Sequence, residues 1–167
     1  MIDIVIYYPY LDGTTTSLVD LWYNLKGRMD VNCNIVVDNN MKRNLDYFVT
    51  LRKSMPSDFH FNIITMEHLC CKKFDTVIVS FGIFRFLDKI CFDYDKMIVL
   101  DSGRIVYDYY VNDKKFINYV KSLDNVVVFG NRMNFEFFDK WDKYNIYYHK
   151  FSHERFNHLK QLNQTDL

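Results

Sequence analysis

Two carboxylates lie in short polar loops of the kind that follow the strands of a parallel sheet. Asp12 belongs to the run Y-Y-P-Y-L-D-G-T-T-T-S (7–17), and Asp101 opens the run D-S-G-R (101–104). A carboxylate whose pKa is raised by burial can remove a proton from a hydroxyl group as a general base. The sequence therefore nominates Asp101 as a candidate general base, while a structural turn is the favoured interpretation of its loop. For the loop that contains Asp12, a turn with a helix N-cap and a ligand-binding role are equally well supported.

Residues that could bind a polar ligand occur in the same loops as these carboxylates and in two further loops that follow predicted strands. Backbone N–H groups at the start of a helix, hydroxyl groups and guanidinium groups all bind phosphates or sugar hydroxyls. The residues with these properties are Gly13, Thr14, Thr15, Ser80, Gly82, Ser102, Gly103, Arg104, Asn131 and Arg132. The first loop has neither the G-x-G-x-x-G pattern of dinucleotide-binding proteins nor the lysine of a P-loop. Ser80 lacks the flanking glycines of a hydrolase nucleophile.

Metal sites and disulfides are not predicted. Cys33, Cys70, Cys71 and Cys91 form neither a C-x-x-C pair nor a zinc-ligand spacing, and we expect them to be reduced, buried thiols. Histidines 149 and 153 lack a carboxylate or thiolate partner in the sequence, and a solvated tail that faces a partner is the simpler interpretation of their segment.

Seven short apolar runs provide the strands that would position these loops. Several of them are continuously apolar instead of alternating, which indicates strands covered on both faces and therefore a parallel sheet. The runs are 4–8, 34–38, 61–65, 76–80, 97–101, 126–130 and 145–149.

Amphipathic stretches alternate with the strands. The first follows the hydroxyl residues 14–16 and ends before Gly27, and others occupy 41–53, 83–91, 113–123 and 134–143. Strands alternating with helices predict a Rossmann-like three-layer α/β/α fold, with a mostly parallel sheet of about seven strands in a single domain over 1–167. In such sheets ligands bind at the carboxyl ends of the strands, where the nominated loops would lie.

The composition excludes several classes of partner. The 167 residues carry a formal net charge of zero, which does not support nucleic-acid binding. The chain has no long apolar segment to cross a membrane and opens on a strand-like run instead of a signal peptide. We therefore expect a protein of the cytoplasm, or of the host cytoplasm if it is viral.

The order of the runs I-V-I-Y-Y-P, F-D-T-V-I-V-S, K-M-I-V-L-D-S-G, V-V-V-F-G-N and Y-Y-H-K-F-S-H-E-R is similar to a known family. It resembles the N-terminal, acceptor-side half of GT-B glycosyltransferases, particularly those of T-even-like bacteriophages. The resemblance implies a transferase whose donor substrate is a nucleotide sugar, without a further cofactor. It also implies that Asp12 or Asp101 is the catalytic carboxylate that takes the proton of the acceptor hydroxyl. It also implies a second domain or chain that holds this donor, because the carboxyl-terminal half is missing.

Two other functions remain open. The chain could be a non-catalytic viral interaction protein that binds a host protein or forms a homodimer through exposed aromatic side chains. It could also be a nucleotide- or small-molecule-binding module.

Overall fold

The chain folds around one parallel sheet with helices on both faces. The computed structural model describes residues 1–7, 13–37, 58–80, 82–87, 89–101, 114–130 and 142–145. Within these residues the elements are β1 (Ile2–Tyr7), α1 (Gly13–Leu25), β2 (Val31–Val37), β3 (Asn62–Thr65), α2 (Met66–Cys70), β4 (Lys73–Ser80), α3 (Ile83–Phe86), β5 (Asp93–Asp101), α4 (Lys114–Ser122), β6 (Val126–Gly130) and β7 (Asp142–Asn145).

The sheet has seven strands in the order β3-β2-β1-β4-β5-β6-β7, and every neighbouring pair is parallel. The chain runs outward from β1 to β3, crosses back, and then runs outward from β4 to β7. At the centre, Val5 of β1 is in register with Val79 of β4. The order therefore reverses between these two strands, and the predicted Rossmann-like α/β fold is confirmed.

One face of the sheet packs against α1. Leu18, Val19 and Trp22 recur at helical spacing and are buried against Ile4 and Ile35 of the sheet. Phe59, fully buried, packs its ring edge against Trp22 with 5.0 Å between ring centroids. The apolar residues whose helical spacing predicts this helix are thus the residues that the helix buries against the sheet.

The other face packs against the later helices. Leu69 of α2, Phe84 of α3 and Val120 of α4 are buried in one cluster with Val77 and Val99 of the central strands. Because side chains alternate across a strand, the continuously apolar strands supply both clusters at once. Connections between parallel strands are right-handed as a rule. Because the strand order reverses between β1 and β4, this rule places α1 and the later helices on opposite faces of the sheet.

Several element predictions are corrected by the structure. The helix expected over 83–91 ends at Phe86, and Leu87 is extended with φ −111° and ψ 114°. The apolar residues 90 and 91 still pack against the core, but from the segment that leads into β5. Helix α2 was not predicted, because five residues are too few to show a helical period.

The carboxyl-terminal elements also differ from the prediction. Strand β7 occupies Asp142–Asn145, so the strand expected over 145–149 begins three residues earlier than predicted; residues 146–149 lie outside the described residues. The helix expected over 134–143 is wrong at its last two residues, which belong to β7. The remainder of that helix, and the helix expected over 41–53, lie outside the described residues.

The prediction of four reduced, buried cysteines is wrong in redox state for Cys70 and Cys91 and wrong in burial for Cys71. Cys70 and Cys91 form a disulfide, and Cys71 is an exposed free thiol, whereas Cys33 is buried as expected. The reason is that β4 and β5 are parallel neighbours and begin at the same edge of the sheet. The residues that precede each strand are therefore brought together, although they are far apart in sequence.

Candidate functional site

The carboxyl edge of the sheet, where β1 and β4 end, is the candidate site. Strand order reverses between these strands, and the chain leaves them toward opposite faces of the sheet. Diverging connections leave a crevice at such a position, and open α/β sheets bind their ligands there. The site is therefore defined by topology before any side chain is considered.

The first part of the nominated set flanks this crevice. Strand β1 ends at Tyr7 and α1 begins at Gly13, so residues 13–15 form the first turn of a 13-residue helix beside the end of β1. The first turn of α1 has no acidic residue. Its N–H groups and the positive end of the helix dipole are thus not offset by a carboxylate of that turn.

Ser80 and Gly82 form the neighbouring part of the crevice. Ser80 is the last residue of β4 and is half-buried, and Gly82 immediately precedes α3. A Cβ atom placed on Gly82 would lie 3.4 Å from the Ser80 Oγ, which is ordinary van der Waals contact. The position thus has room for a methyl group beside the Ser80 hydroxyl.

Asp101 ends the next strand along the same edge. Ser80 is in register with Leu100, and Asp101 is in register with Gly130 of β6. The carboxyl edge therefore runs from the end of β1 through Ser80 and Asp101 to Gly130. Of the other nominated residues, Asp12, Ser102, Gly103, Arg104, Asn131 and Arg132 lie outside the described residues, as do His149 and His153.

A buried polar chain, which we did not predict, lies inside the sheet toward the amino ends of the strands. Asp3 is 9% exposed and Asn34 is 1% exposed. The Asn34 Nδ2 donates to the Asp3 Oδ1 at 2.9 Å, and the Asn62 Nδ2 donates to the Asn34 Oδ1 at 3.4 Å. The available signal was a single aspartate inside an otherwise apolar strand, since such a residue must find a donor when buried.

A cavity of about 440 Å³ lies at the amino edge, opposite the candidate site. It is lined by Asp95, Lys96, Leu123, Asn125, Val126, Val127 and Asp142. Asp95 also forms an exposed ion pair with Lys73 at 3.4 Å. Sequence reasoning placed function at the carboxyl edge and gave no sign of this cavity, because its lining comes from the beginnings of three strands.

Shifted pKa values occur away from the candidate site in the described part of the chain. Burial raises the pKa of the Cys33 thiol to about 12, and burial also raises the pKa of Tyr94. The hydrogen bond from Lys26 lowers the pKa of Asp58. A hydrogen bond from its own backbone N–H, followed by one from the side chain of Thr65, lowers the pKa of Glu67. These groups belong to the core and the surface, so they do not mark a catalytic centre.

Among the described residues, no cluster of three or more histidine, cysteine or acidic side chains is arranged to hold a metal ion. No described helix has the length and apolar character needed to cross a membrane.

The fold and the crevice define the class of this protein as a Rossmann-like α/β domain. No protein-family model, no curated protein and no solved structure matches the chain.

Proposed function

We propose that this domain binds a sugar- or nucleotide-bearing ligand in the crevice between β1 and β4. The observation that carries the proposal is the reversal of strand order between β1 and β4, because open α/β sheets bind their ligands at the carboxyl ends of the strands where the order reverses. The first turn of α1 offers N–H donors to a phosphate, and Ser80 offers a hydroxyl group to a sugar. Both groups suit the same class of ligand.

Within that class, we propose the role of the acceptor-side half of a GT-B glycosyltransferase. The transfer would join an acceptor oxygen to the anomeric carbon of a nucleotide sugar and release the nucleoside diphosphate. Asp12 or Asp101 would take the proton of the acceptor hydroxyl as this bond forms. The donor would be held by a second domain or chain, so this chain by itself would bind ligand without completing the transfer. A phage origin and a place in the host cytoplasm belong to the same proposal.

Ligand binding can be tested by thermal unfolding with a panel of nucleotide sugars, nucleoside diphosphates and free sugars. A ligand that binds only the folded state at 100 times its Kd contributes about 2.7 kcal/mol, which raises the Tm of a domain of this size by about 5–10 °C. A panel in which no compound raises the Tm would contradict the proposal.

Two matched glycine variants locate the binding. Gly82→Leu adds a bulky side chain next to the Ser80 hydroxyl, and we expect it to weaken the binding of any active compound at least tenfold. Gly27→Leu makes the same change in the turn after α1, where a Cβ atom meets nothing within 4 Å, and should leave affinity unchanged. Ser80→Ala removes one hydrogen bond, which costs about 0.5–1.5 kcal/mol, or roughly two- to thirteenfold in Kd. Equal affinities of the two leucine variants would place the ligand elsewhere.

Self-association is the second candidate function, and one observation favours it. Ile63 lies on β3, which is the edge strand of the sheet among the described residues, and it is 57% exposed. An apolar side chain therefore stands beside an edge that no described strand pairs with. Such edges pair readily with a second copy of the same strand. A dimer in light scattering that Ile63→Lys converts to a monomer, together with no response to the ligand panel, would favour this function over the first.

A further inference from the structure

Three of the four cysteines converge at the amino edge of the sheet. Helix α2 ends at Cys70 and is followed by Cys71, while Cys91 lies two residues before β5. The Cα atoms of Cys70 and Cys91 are 4.7 Å apart, which is within the range that a disulfide spans, and the two residues are bonded. The pair links the segment that enters β4 to the segment that enters β5.

The backbone holds these two positions together independently of the sulfur–sulfur bond. Leu69, before Cys70, is fully buried, and Phe92, after Cys91, is 4% exposed. The Asp93 N–H donates to the Lys72 carbonyl at 3.1 Å, which ties the two strand entries directly. Reduction would therefore leave the two thiols close to each other in the folded protein, poised to pair again.

The sulfur atoms also differ in access to solvent. Cys70 and Cys71 are exposed and Cys91 is half-buried, whereas Cys33 is 2% exposed in the core. The thiolate is the form that attacks a disulfide, and exposed disulfides are the ones that exchange most readily with outside thiols. The raised pKa of Cys33 keeps it protonated, so the chain contains its own unreactive reference thiol.

We propose that Cys70 and Cys91 are a reversible redox pair that opens and closes in the folded protein. With a small disulfide such as oxidised glutathione, the Cys70 thiolate attacks one glutathione sulfur and releases a glutathione thiolate. The Cys91 thiolate then attacks the Cys70 sulfur and releases the second glutathione. The two cysteines lose two protons and two electrons in total, and one glutathione disulfide becomes two thiols.

The disulfide closes a loop of the chain that contains part of the candidate ligand site. The bridge spans a sequence separation of 21 residues, and the enclosed chain contains β4, Ser80, Gly82 and α3. Ile90, next to Cys91, donates its N–H to the Tyr119 hydroxyl of α4, so the bridged segment also contacts that helix. Oxidation thus restrains local opening of a central strand and of the turn that follows it.

The experiment equilibrates the folded, full chain at a series of glutathione ratios and then labels it briefly with N-ethylmaleimide. Intact mass should show three labels under reducing conditions. Under oxidising conditions Cys71 should stay outside the link, with either a label or a bound glutathione, and Cys33 should be labelled only after denaturation. Peptide mapping should find the Cys70–Cys91 link, and the oxidised form should melt at a higher temperature.

Two variants make the labelling specific. Cys71→Ser keeps the pair, so its label count should change from none to two as conditions become reducing. Cys91→Ser abolishes the pair, so under oxidising conditions Cys70 should carry a bound glutathione that is not released and should form no link within the chain, whereas under reducing conditions Cys70 and Cys71 should both be labelled. Three labels on the unmodified protein at every ratio, a link between Cys71 and Cys91, or a bridge that opens only after unfolding would each overturn the proposal.

Discussion

The hydrogen bond between Asp3 and Asn34 offers the sharpest test of how the sheet is held together. Both side chains are buried, and the Asn34 Nδ2 donates to the Asp3 Oδ1 at 2.9 Å. Asn34→Leu keeps the number and branching of the side-chain heavy atoms but removes this donor. The Asp3 carboxylate then stays in an apolar setting without its partner, and a buried charge in that position costs several kcal/mol.

The expected loss of stability follows from the cost of leaving a buried carboxylate without a hydrogen-bond donor. Leaving a buried polar group unsatisfied costs about 1–3 kcal/mol, and more when the group is charged. We therefore expect Asn34→Leu to reduce the free energy of unfolding by about 3 kcal/mol, which lowers the Tm of a domain of this size by about 6–12 °C. The total stability of a domain is about 5–15 kcal/mol, so this is a large share of it.

A double-mutant cycle separates the hydrogen bond from general damage to the core. Replacing both partners by apolar residues of similar shape can be nearly neutral. Asp3→Leu combined with Asn34→Leu should therefore unfold within about 1 kcal/mol of the unmodified protein, since the pair faces the same side of the sheet as Val5 and Val36. Urea unfolding of the four proteins gives the coupling energy directly.

Two results would refute this reasoning. A cost below about 1 kcal/mol for Asn34→Leu would mean that the carboxylate is satisfied without its amide partner. A double variant whose loss equals the sum of the single losses would mean that the two side chains act independently.

Three further predictions concern other parts of the fold. Leu69→Ala, at a fully buried position of α2, should cost about 2–5 kcal/mol in urea unfolding, whereas Ile63→Ala, at an exposed position, should change stability by less than about 0.5 kcal/mol. Thr65→Ala removes the hydroxyl that accepts from the backbone N–H of the third residue of α2 and should cost about 1 kcal/mol; no loss would mean that solvent replaces the cap. Because the folded-state pKa of Cys33 is about 12, the unfolded chain loses this proton first, so stability should fall as pH rises above about 9, by up to about 1.4 kcal/mol per pH unit. Cys33→Ala should show a shallower decline over the same range, and equal slopes would contradict the assignment.

The architecture was predictable because its signal lies in consecutive residues. Continuous apolar runs such as Val126–Val128 indicate a strand covered on both faces, and the stripe through Leu18 and Trp22 indicates a helix that covers one of them. The reversal between β1 and β4 depends on which strands become neighbours, and no local pattern carries that information.

The polar and sulfur contacts were harder to predict for the same reason. Asp3 and Asn34 are 31 residues apart, and Cys70 and Cys91 are 21 residues apart. Each pair meets because parallel strands align their equivalent ends. For the candidate site, the structure confirms that Ser80, Gly82 and Asp101 share one edge of the sheet, and it leaves their roles as predictions.

The position of β1 in the middle of the sheet has a consequence for the order in which a growing chain can fold. Its first neighbour, β2, is synthesised soon after it, but Ile2 pairs on its other side with Thr76 of β4. At synthesis rates of about 5–20 residues per second, that second neighbour arrives roughly 4–15 s later. During this interval the nascent chain carries one of its most apolar strands with an open side, and that open side is where a chaperone or a wrongly paired strand would attach.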